Sequence, residues 1–84
     1  MSTTDQHSFR PHLQWRLRVL MAERGIVTAT DLCARLSDVG LKMSSANVSR
    51  LVKERPRRLD PEMLEALMLV LGCDLSDLLR KATA

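Results

Sequence analysis

The 84-residue sequence predicts an all-α domain of five short helices, and three observations support that fold class. Apolar residues make up 45% of the chain but aromatic residues only 2%, whereas β-sheet cores rely on β-branched and aromatic side chains. Apolar residues recur at the spacing of amphipathic helices. Helix-capping residues and glycines flank the segments with this spacing. A chain of this length is expected to form one domain.

We expect residues 1–11 to form a flexible N-terminal arm, residues 12–80 the helical domain and residues 81–84 a C-terminal tail. The first helix is predicted over residues 12–24, followed by Gly25 as its left-handed terminator. Its predicted buried side chains are those of Leu13, Leu17, Leu20 and Met21. Trp15 and Val19 lie on the opposite side of this helix and form a second apolar strip. Either the N-terminal arm covers that strip with Phe9 or Pro11, or the strip belongs to a homodimer interface.

The second and third helices are predicted from their capping residues. Thr28, followed three positions later by Asp31, is typical of a helix start, and the helix should end near Asp38. Its inward side chains would be Leu32, Cys33 and Leu36. A turn containing Val39 and Gly40 follows, with Leu41 and Met43 as buried anchors. Ser44 is then expected to cap a third helix over residues 45–53, whose core side chains would be Val48, Leu51 and Val52.

The last two helices begin at aspartates. Asp60, Pro61 and Glu62 provide a cap, a proline in the first turn and an acidic residue there, which together indicate a helix start. This fourth helix should run to Leu71 and end at Gly72. Asp74 would cap a short fifth helix that contains Leu75, Leu78 and Leu79. Leu69 falls on the polar side of the fourth helix and is a second candidate for a homodimer interface.

The charge is unevenly distributed, although the formal net charge is only +3 and the pI about 9.4. Residues 42–58 contain six basic side chains and one acidic one, a net +5. Residues 59–79 contain five acidic side chains and no basic one, a net −5. Such a segregated basic segment is typical of a surface that meets an anionic partner. On charge alone, a solvated basic face without a partner is an equal alternative.

Several function classes are excluded by what the sequence lacks. No apolar stretch approaches the length of a membrane span, and the first residues do not resemble a secretory signal. A cytoplasmic protein without membrane association is therefore expected. The two histidines have no metal-ligand spacing, and no residues form a catalytic arrangement in so small a chain. We expect no enzymatic activity, no metal, no cofactor and no small-molecule ligand.

The cysteines and methionines are interpreted as packing residues. Cys33 and Cys73 lie too far apart in sequence for a metal motif and form no disulfide framework. Both are expected to pack as small apolar residues, with a redox switch at Cys73 as the minor alternative. Core packing is also the expected role of the methionines at positions 21, 43, 63 and 68.

Four sequence blocks in order resemble one known family. They are a first helix ending in ERG, a second helix starting at Thr28, a serine-capped segment SANVSRLV, and a closing segment LMLVLGCDLSDLL. Together they are similar to the Cro/cI-type (XRE, lambda-repressor-like) helix-turn-helix DNA-binding domains, over residues 17–79. The resemblance implies a five-helix all-α fold and sequence-specific recognition of double-stranded DNA. The sequence departs from the family pattern at two places. Ala29 stands where glutamine is usual, and the turn between the second and third helices is longer.

The resemblance implies that the third helix enters the major groove. Small polar residues at its start would let the backbone approach the base edges, which fits the residue types present. The expected base-contacting residues are Ser45, Ala46, Asn47 and Arg50. The expected phosphate-contacting residues are Thr28, Lys42, Ser44, Ser49, Lys53, Arg55, Arg57 and Arg58. The basic segment therefore coincides with the third helix and the loop that follows it.

Two functions from different classes stay open at this point. The first is a homodimeric transcriptional regulator, most simply a repressor, that reads DNA without a cofactor. The second is an antitoxin or adaptor that uses the same helical fold to mask a protein partner such as a toxin, with DNA binding secondary or absent. The sequence does not identify such a partner.

Overall fold

A two-stranded ribbon accompanies the helices in the computed structural model, which describes residues 13–81. The elements in chain order are β1 (Leu13–Trp15), α1 (Leu17–Glu23), α2 (Ala29–Asp38), α3 (Ser45–Lys53), α4 (Pro61–Leu71), α5 (Leu75–Leu78) and β2 (Leu79–Lys81). The fold is therefore mainly helical, as predicted. The all-α prediction is corrected by the ribbon.

The ribbon replaces the predicted start of the first helix and the predicted end of the last one. β1 pairs antiparallel with β2, with Leu13 opposite Lys81 and Trp15 opposite Leu79. Directly after β1, the Arg16 N–H donates a 2.8 Å hydrogen bond to the Leu78 carbonyl. These bonds join the two ends of the domain. They satisfy backbone N–H and C=O groups that would be paired within α1 or α5 if those helices were one turn longer. The expectation of a buried Leu13 is wrong as well, because its side chain is 49% exposed.

The predicted starts of α2, α3 and α4 are confirmed by their capping hydrogen bonds. Thr28 Oγ1 accepts from the Asp31 N–H at 3.1 Å, and Ser44 Oγ accepts from the Asn47 N–H at 3.1 Å. Asp60 Oδ1 accepts from the Glu62 N–H at 3.2 Å. These bonds satisfy N–H groups that have no acceptor within their own helix. Gly72 ends α4 in the left-handed conformation, with φ at 61°, as expected for a glycine in that position.

The core lies between α1, α2, α3 and α4 and is closed by α5. The most extensive helix contact is that of α2 with α3, while α4 packs on α2 and α1 packs on both α3 and α5. Leucine dominates the fully buried positions, at residues 17, 32, 36, 67 and 78. Met21 and Met63 are buried, and Met43 and Met68 pack at the edge of the core. The expected packing role of these methionines is thus confirmed.

None of the helices within residues 13–81 is both long and apolar enough to cross a lipid bilayer.

Candidate nucleic-acid interface

The connection between α2 and α3 comprises residues 39–44 and is fastened to α2. Gly40 has φ at 99°, a conformation that residues with a Cβ rarely adopt, and it turns the chain after α2. The Leu41 N–H then donates to the Leu36 carbonyl at 2.9 Å. Cys33 Sγ donates to the Met43 carbonyl at 3.2 Å. The long turn therefore has a defined path, and it fixes where α3 begins.

α3 has one face in the core and an opposite face in solvent. Val48 and Leu51 are buried, with exposures of 0% and 5%. The side chains of Asn47, Arg50 and Lys53 are exposed, and their spacing of three residues places them along one stripe of the helix. Ser45 and Ala46, in the first turn, are exposed too. The helix thus presents small polar side chains at its start and basic side chains further along.

The carboxyl end of α3 is held by the only tryptophan of the chain. The Trp15 indole Nε1 donates to the Leu51 carbonyl at 2.8 Å. Leu51 is among the last four residues of α3. The carbonyls of these residues have no N–H partner within the helix. The neighbouring Arg50 carbonyl accepts a hydrogen bond from the Glu54 N–H at 3.1 Å. Trp15 therefore ties the ribbon to α3.

This contact corrects the interpretation of Trp15 as part of an apolar strip outside the core. The side chain is half-buried and packs against the core, because β1 turns it toward α3 instead of continuing α1. Val19 keeps 46% exposure. Phe9 and Pro11, which would cover the strip in one of the two interpretations, lie outside the described residues.

A basic loop follows α3 before α4 begins. Arg55, Arg57 and Arg58 in this loop are all exposed. The ion pairs within residues 13–81 involve the guanidinium groups of Arg24, Arg35 and Arg80. Within that part of the chain, the basic groups of α3 and of this loop have no carboxylate within 4.0 Å. They are available to an external anion.

A groove lies between the 39–44 connection, α3, the basic loop and the start of α4; we call it the α3 groove. Its volume is about 640 Å³. Its apolar lining consists of Leu41, Met43, Leu51, Pro56 and Met63. Its polar and charged lining consists of Lys42, Asn47, Arg50, Glu54, Arg55, Arg57 and Asp60. The groove opens beside the exposed face of α3.

Comparison with known protein families identifies the fold's family directly. The family model of the Cro/C1-type HTH DNA-binding domain matches residues 16–81. The chain belongs to this family. A Cro/C1-type domain is a helix-turn-helix DNA-binding domain, and the match includes α2, the 39–44 connection and α3. Neither the curated proteins nor the solved structures gave a match.

The Cro/C1-type domain brings five of the twelve predicted site residues together around the α3 groove. These are Lys42, Asn47, Arg50, Arg55 and Arg57. The other seven do not line the groove: Thr28 caps α2, Ser44, Ser45, Ala46, Ser49 and Lys53 belong to α3 or its cap, and Arg58 follows in the loop. All twelve are exposed except Ser49, which is half-buried.

Two features of the site were missed from the sequence. One is the capping of α3 by Trp15, which depends on a contact between residues 36 positions apart and leaves no local signal. The other is the α3 groove, for which the long turn and Pro56 in the basic loop were the available signals. The long turn leads into α3 and the basic loop leads out of it, and the two segments leave space beside the helix.

The cysteines of the Cro/C1-type domain are half-buried free thiols. Burial raises the pKa of the Cys73 thiol above its ordinary value, and the carboxylates of Asp77 and Asp74 act in the same direction against Arg24. A raised pKa keeps the thiol protonated near neutral pH, whereas the thiolate is the reactive form. This disfavours a redox switch at Cys73 and agrees with a packing role. No cluster of three metal-ligating side chains occurs within residues 13–81.

Proposed function

We propose that this Cro/C1-type domain is a sequence-specific transcriptional regulator that places α3 in the DNA major groove. The observation that carries the proposal is the exposed face of α3. On that face small polar side chains precede basic ones, beside a loop whose arginines are not engaged by carboxylates within residues 13–81. Short residues let a helix sink toward base edges, and flanking basic residues bind the phosphates on either side.

The base contacts are assigned to the amino-terminal half of α3. Asn47 matches the donor and acceptor pattern of adenine, and Arg50 that of guanine. Ser45 and Ala46 allow close approach, and Ser45 adds a hydroxyl that both donates and accepts. Ser44 caps this end of the helix by accepting the Asn47 N–H.

The phosphate contacts are assigned to residues that surround these base contacts. Exposed amides and the positive end of a helix dipole favour phosphate at the start of α2 and of α3, near Thr28 and Ser44. Lys42 precedes α3, while Ser49 and Lys53 lie on the helix itself. Arg55, Arg57 and Arg58 extend the basic surface beyond it, so they set the salt dependence of binding.

We further propose that the protein acts as a homodimeric repressor. Two copies related by a two-fold axis would place two α3 helices in successive major grooves, about 34 Å apart. A repressor needs only to occupy its site, which suits a chain whose described residues are accounted for by the DNA-binding domain. Leu69 on α4 is 71% exposed and is the candidate for the dimer contact.

Selection of bound sequences from a random duplex pool tests the proposal. The selected sites should form an inverted repeat. Asn47→Ala and Arg50→Ala should each lower discrimination at one position of the half-site by about 1–3 kcal/mol. Arg80→Ala is the control, since it removes an equal charge on β2, outside the proposed interface. The assignment would be contradicted if Arg80→Ala also lowered discrimination between bases. It would equally be contradicted if Asn47→Ala and Arg50→Ala left that discrimination unchanged.

The same selection separates this proposal from the antitoxin or adaptor function. An interaction module that does not regulate by reading DNA should yield no enriched sequence from the pool, whereas the proposed regulator should yield one. An adaptor that masks a protein partner would also keep its function when Asn47 and Arg50 are replaced.

A further inference from the structure

We propose that the α3 groove is a binding site for a small amphipathic carboxylate, an apolar chain or ring that ends in an anionic group. We propose in addition that this ligand and DNA exclude each other. The second part rests on the proposed function; the first does not. The sequence predicts no small-molecule ligand, and the α3 groove is the reason to revise that expectation.

The size of the groove suits a small ligand. Its volume of about 640 Å³ lies in the middle of the range of about 300–1,000 Å³ found for small-molecule sites. The four segments around it follow one another between residues 39 and 63. Three of them make a hydrogen bond that fixes their position. Cys33 holds the connection, Trp15 holds α3, and the cap at Asp60 holds the start of α4. The groove is thus present before any ligand arrives.

The floor of the groove is apolar and is not explained by DNA binding. Leu51 and Met63 are buried beneath it, and Leu41, Met43 and Pro56 are half-buried along it. A phosphate backbone is charged and strongly hydrated, so it gains nothing from these side chains. An alkyl chain or ring gains free energy by covering them. Methionine side chains adapt their shape to such a ligand.

The rim of the groove selects an anion. The charged lining consists of four basic side chains, those of Lys42, Arg50, Arg55 and Arg57, and two acidic ones, those of Glu54 and Asp60. Asp60 already accepts the Glu62 N–H through its Oδ1. The rim keeps a net charge of +2 from these six side chains. Arginine binds a carboxylate through two parallel hydrogen bonds, so a carboxylate headgroup fits the rim and an apolar tail fits the floor.

Ligand and DNA would compete because they use the same side chains. Asn47 and Arg50 line the groove and are also the proposed base-contacting residues. Lys42, Arg55 and Arg57 are shared in the same way between the rim and the proposed phosphate contacts. A carboxylate bound to these arginines makes them unavailable to DNA and so lowers the affinity for DNA. By thermodynamic linkage, bound DNA must lower the affinity for the carboxylate by the same factor.

Titration with decanoate, followed by NMR of the methionine methyl groups, tests the site. Decanoate is used below its micellar range, and a dissociation constant on the order of 1 mM or lower is expected for a ligand of this size. The Met43 and Met63 methyl signals should shift saturably, and those of Met21 and Met68 should not. Decanol, with the same tail and no charge, and decyltrimethylammonium, with the opposite charge, should bind at least about tenfold more weakly.

Two variants locate the ligand. Arg57→Glu reverses one exposed rim charge and should raise the dissociation constant of decanoate at least about tenfold, as should Met43→Glu on the floor. Val27→Glu, at an exposed position away from the groove, is the control and should not change it. Equal shifts at Met21, Met43, Met63 and Met68, or no saturation, would overturn the site. So would equal binding of decanol, or an Arg57→Glu variant with unchanged affinity for decanoate.

DNA affinity measured without decanoate tests the proposed function separately. Where DNA binds, saturating decanoate should raise the dissociation constant for DNA at least about tenfold. In the Arg57→Glu variant the same decanoate concentration should leave that variant's own dissociation constant for DNA unchanged. Unchanged DNA affinity in the presence of bound decanoate would overturn the competition and leave the proposed function standing.

Discussion

Trp15 shows how one side chain links the two ends of the domain to α3. Its indole N–H donates to the Leu51 carbonyl, and its ring packs at the edge of the core. Trp15→Phe keeps an aromatic ring but removes the donor. We expect it to lower the free energy of unfolding by about 1 kcal/mol, the usual net value of a hydrogen bond, in urea denaturation followed by circular dichroism. Gln14→Ala, on the exposed side of β1, is the control. Equal stability of Trp15→Phe and the wild type would show that the bond contributes nothing.

Ser44 provides a second prediction for a single residue. Its side chain accepts the Asn47 N–H, so Ser44→Ala should lower the free energy of unfolding by about 1 kcal/mol. Ser45→Ala is a closely matched control, because Ser45 is the next residue, is also exposed and caps nothing. Without DNA, calorimetric or urea unfolding should show a loss for Ser44→Ala alone. An equal loss in both variants would mean that the cap is not the cause.

At the scale of residues, caps were predictable and the tryptophan was not. Thr28, Ser44 and Asp60 accept N–H groups two or three positions away, so the pattern that produces each bond is visible in a few letters of sequence. The bond of Trp15 joins positions 36 residues apart. Only the packing of the whole chain brings these two positions together.

At the scale of elements, the sequence predicted α2, α3 and α4 well and the ends of the domain poorly. Ten, nine and eleven residues in these helices give enough turns for an apolar period to stand out. β1 and β2 have three residues each, too few to show alternation, and Leu13 happens to continue the helical spacing of α1. The two ends of the described chain form strands because they pair with each other.

The basic loop after α3 carries a prediction at this scale. Replacing Arg57 and Arg58 together by alanine should weaken binding to all duplexes alike and lower the slope of log affinity against log salt by about 1–2 units. Arg80 and Lys81, replaced together by alanine, remove the same charge from β2 and should leave that slope nearly unchanged. Fluorescence titrations at several salt concentrations provide the measurement. If both pairs change the slope equally, the loop has no special contact with phosphate.

For the whole molecule, the proposed homodimer is the prediction most open to direct measurement. Sedimentation equilibrium at micromolar concentration, with an inverted-repeat duplex present, should show two protein chains of 9.5 kDa per duplex. Leu69→Glu should weaken that association because it places charge on an exposed apolar position of α4, whereas Val27→Glu, at another exposed apolar position, should not. A single chain per duplex at all concentrations would rule out the dimer.

The charge of the whole molecule is best understood by segment. The net +3 combines a +5 segment over residues 42–58 with a −5 segment over residues 59–79. The first segment contains α3, the basic loop and every charged side chain on the rim of the α3 groove except Asp60, and the second contains α4 and α5. The sequence alone locates this division, but it does not reveal that the basic segment also encloses an apolar groove.

The ratio of affinities for selected and random duplexes tests the central claim most directly. The dissociation constants are measured at one moderate salt concentration, since both depend on ionic strength. A sequence-specific regulator should bind its selected duplex at least about a thousandfold more tightly than a random duplex of equal length. Equal affinity for the two duplexes would contradict the account, because α3 would then contribute charge without reading sequence.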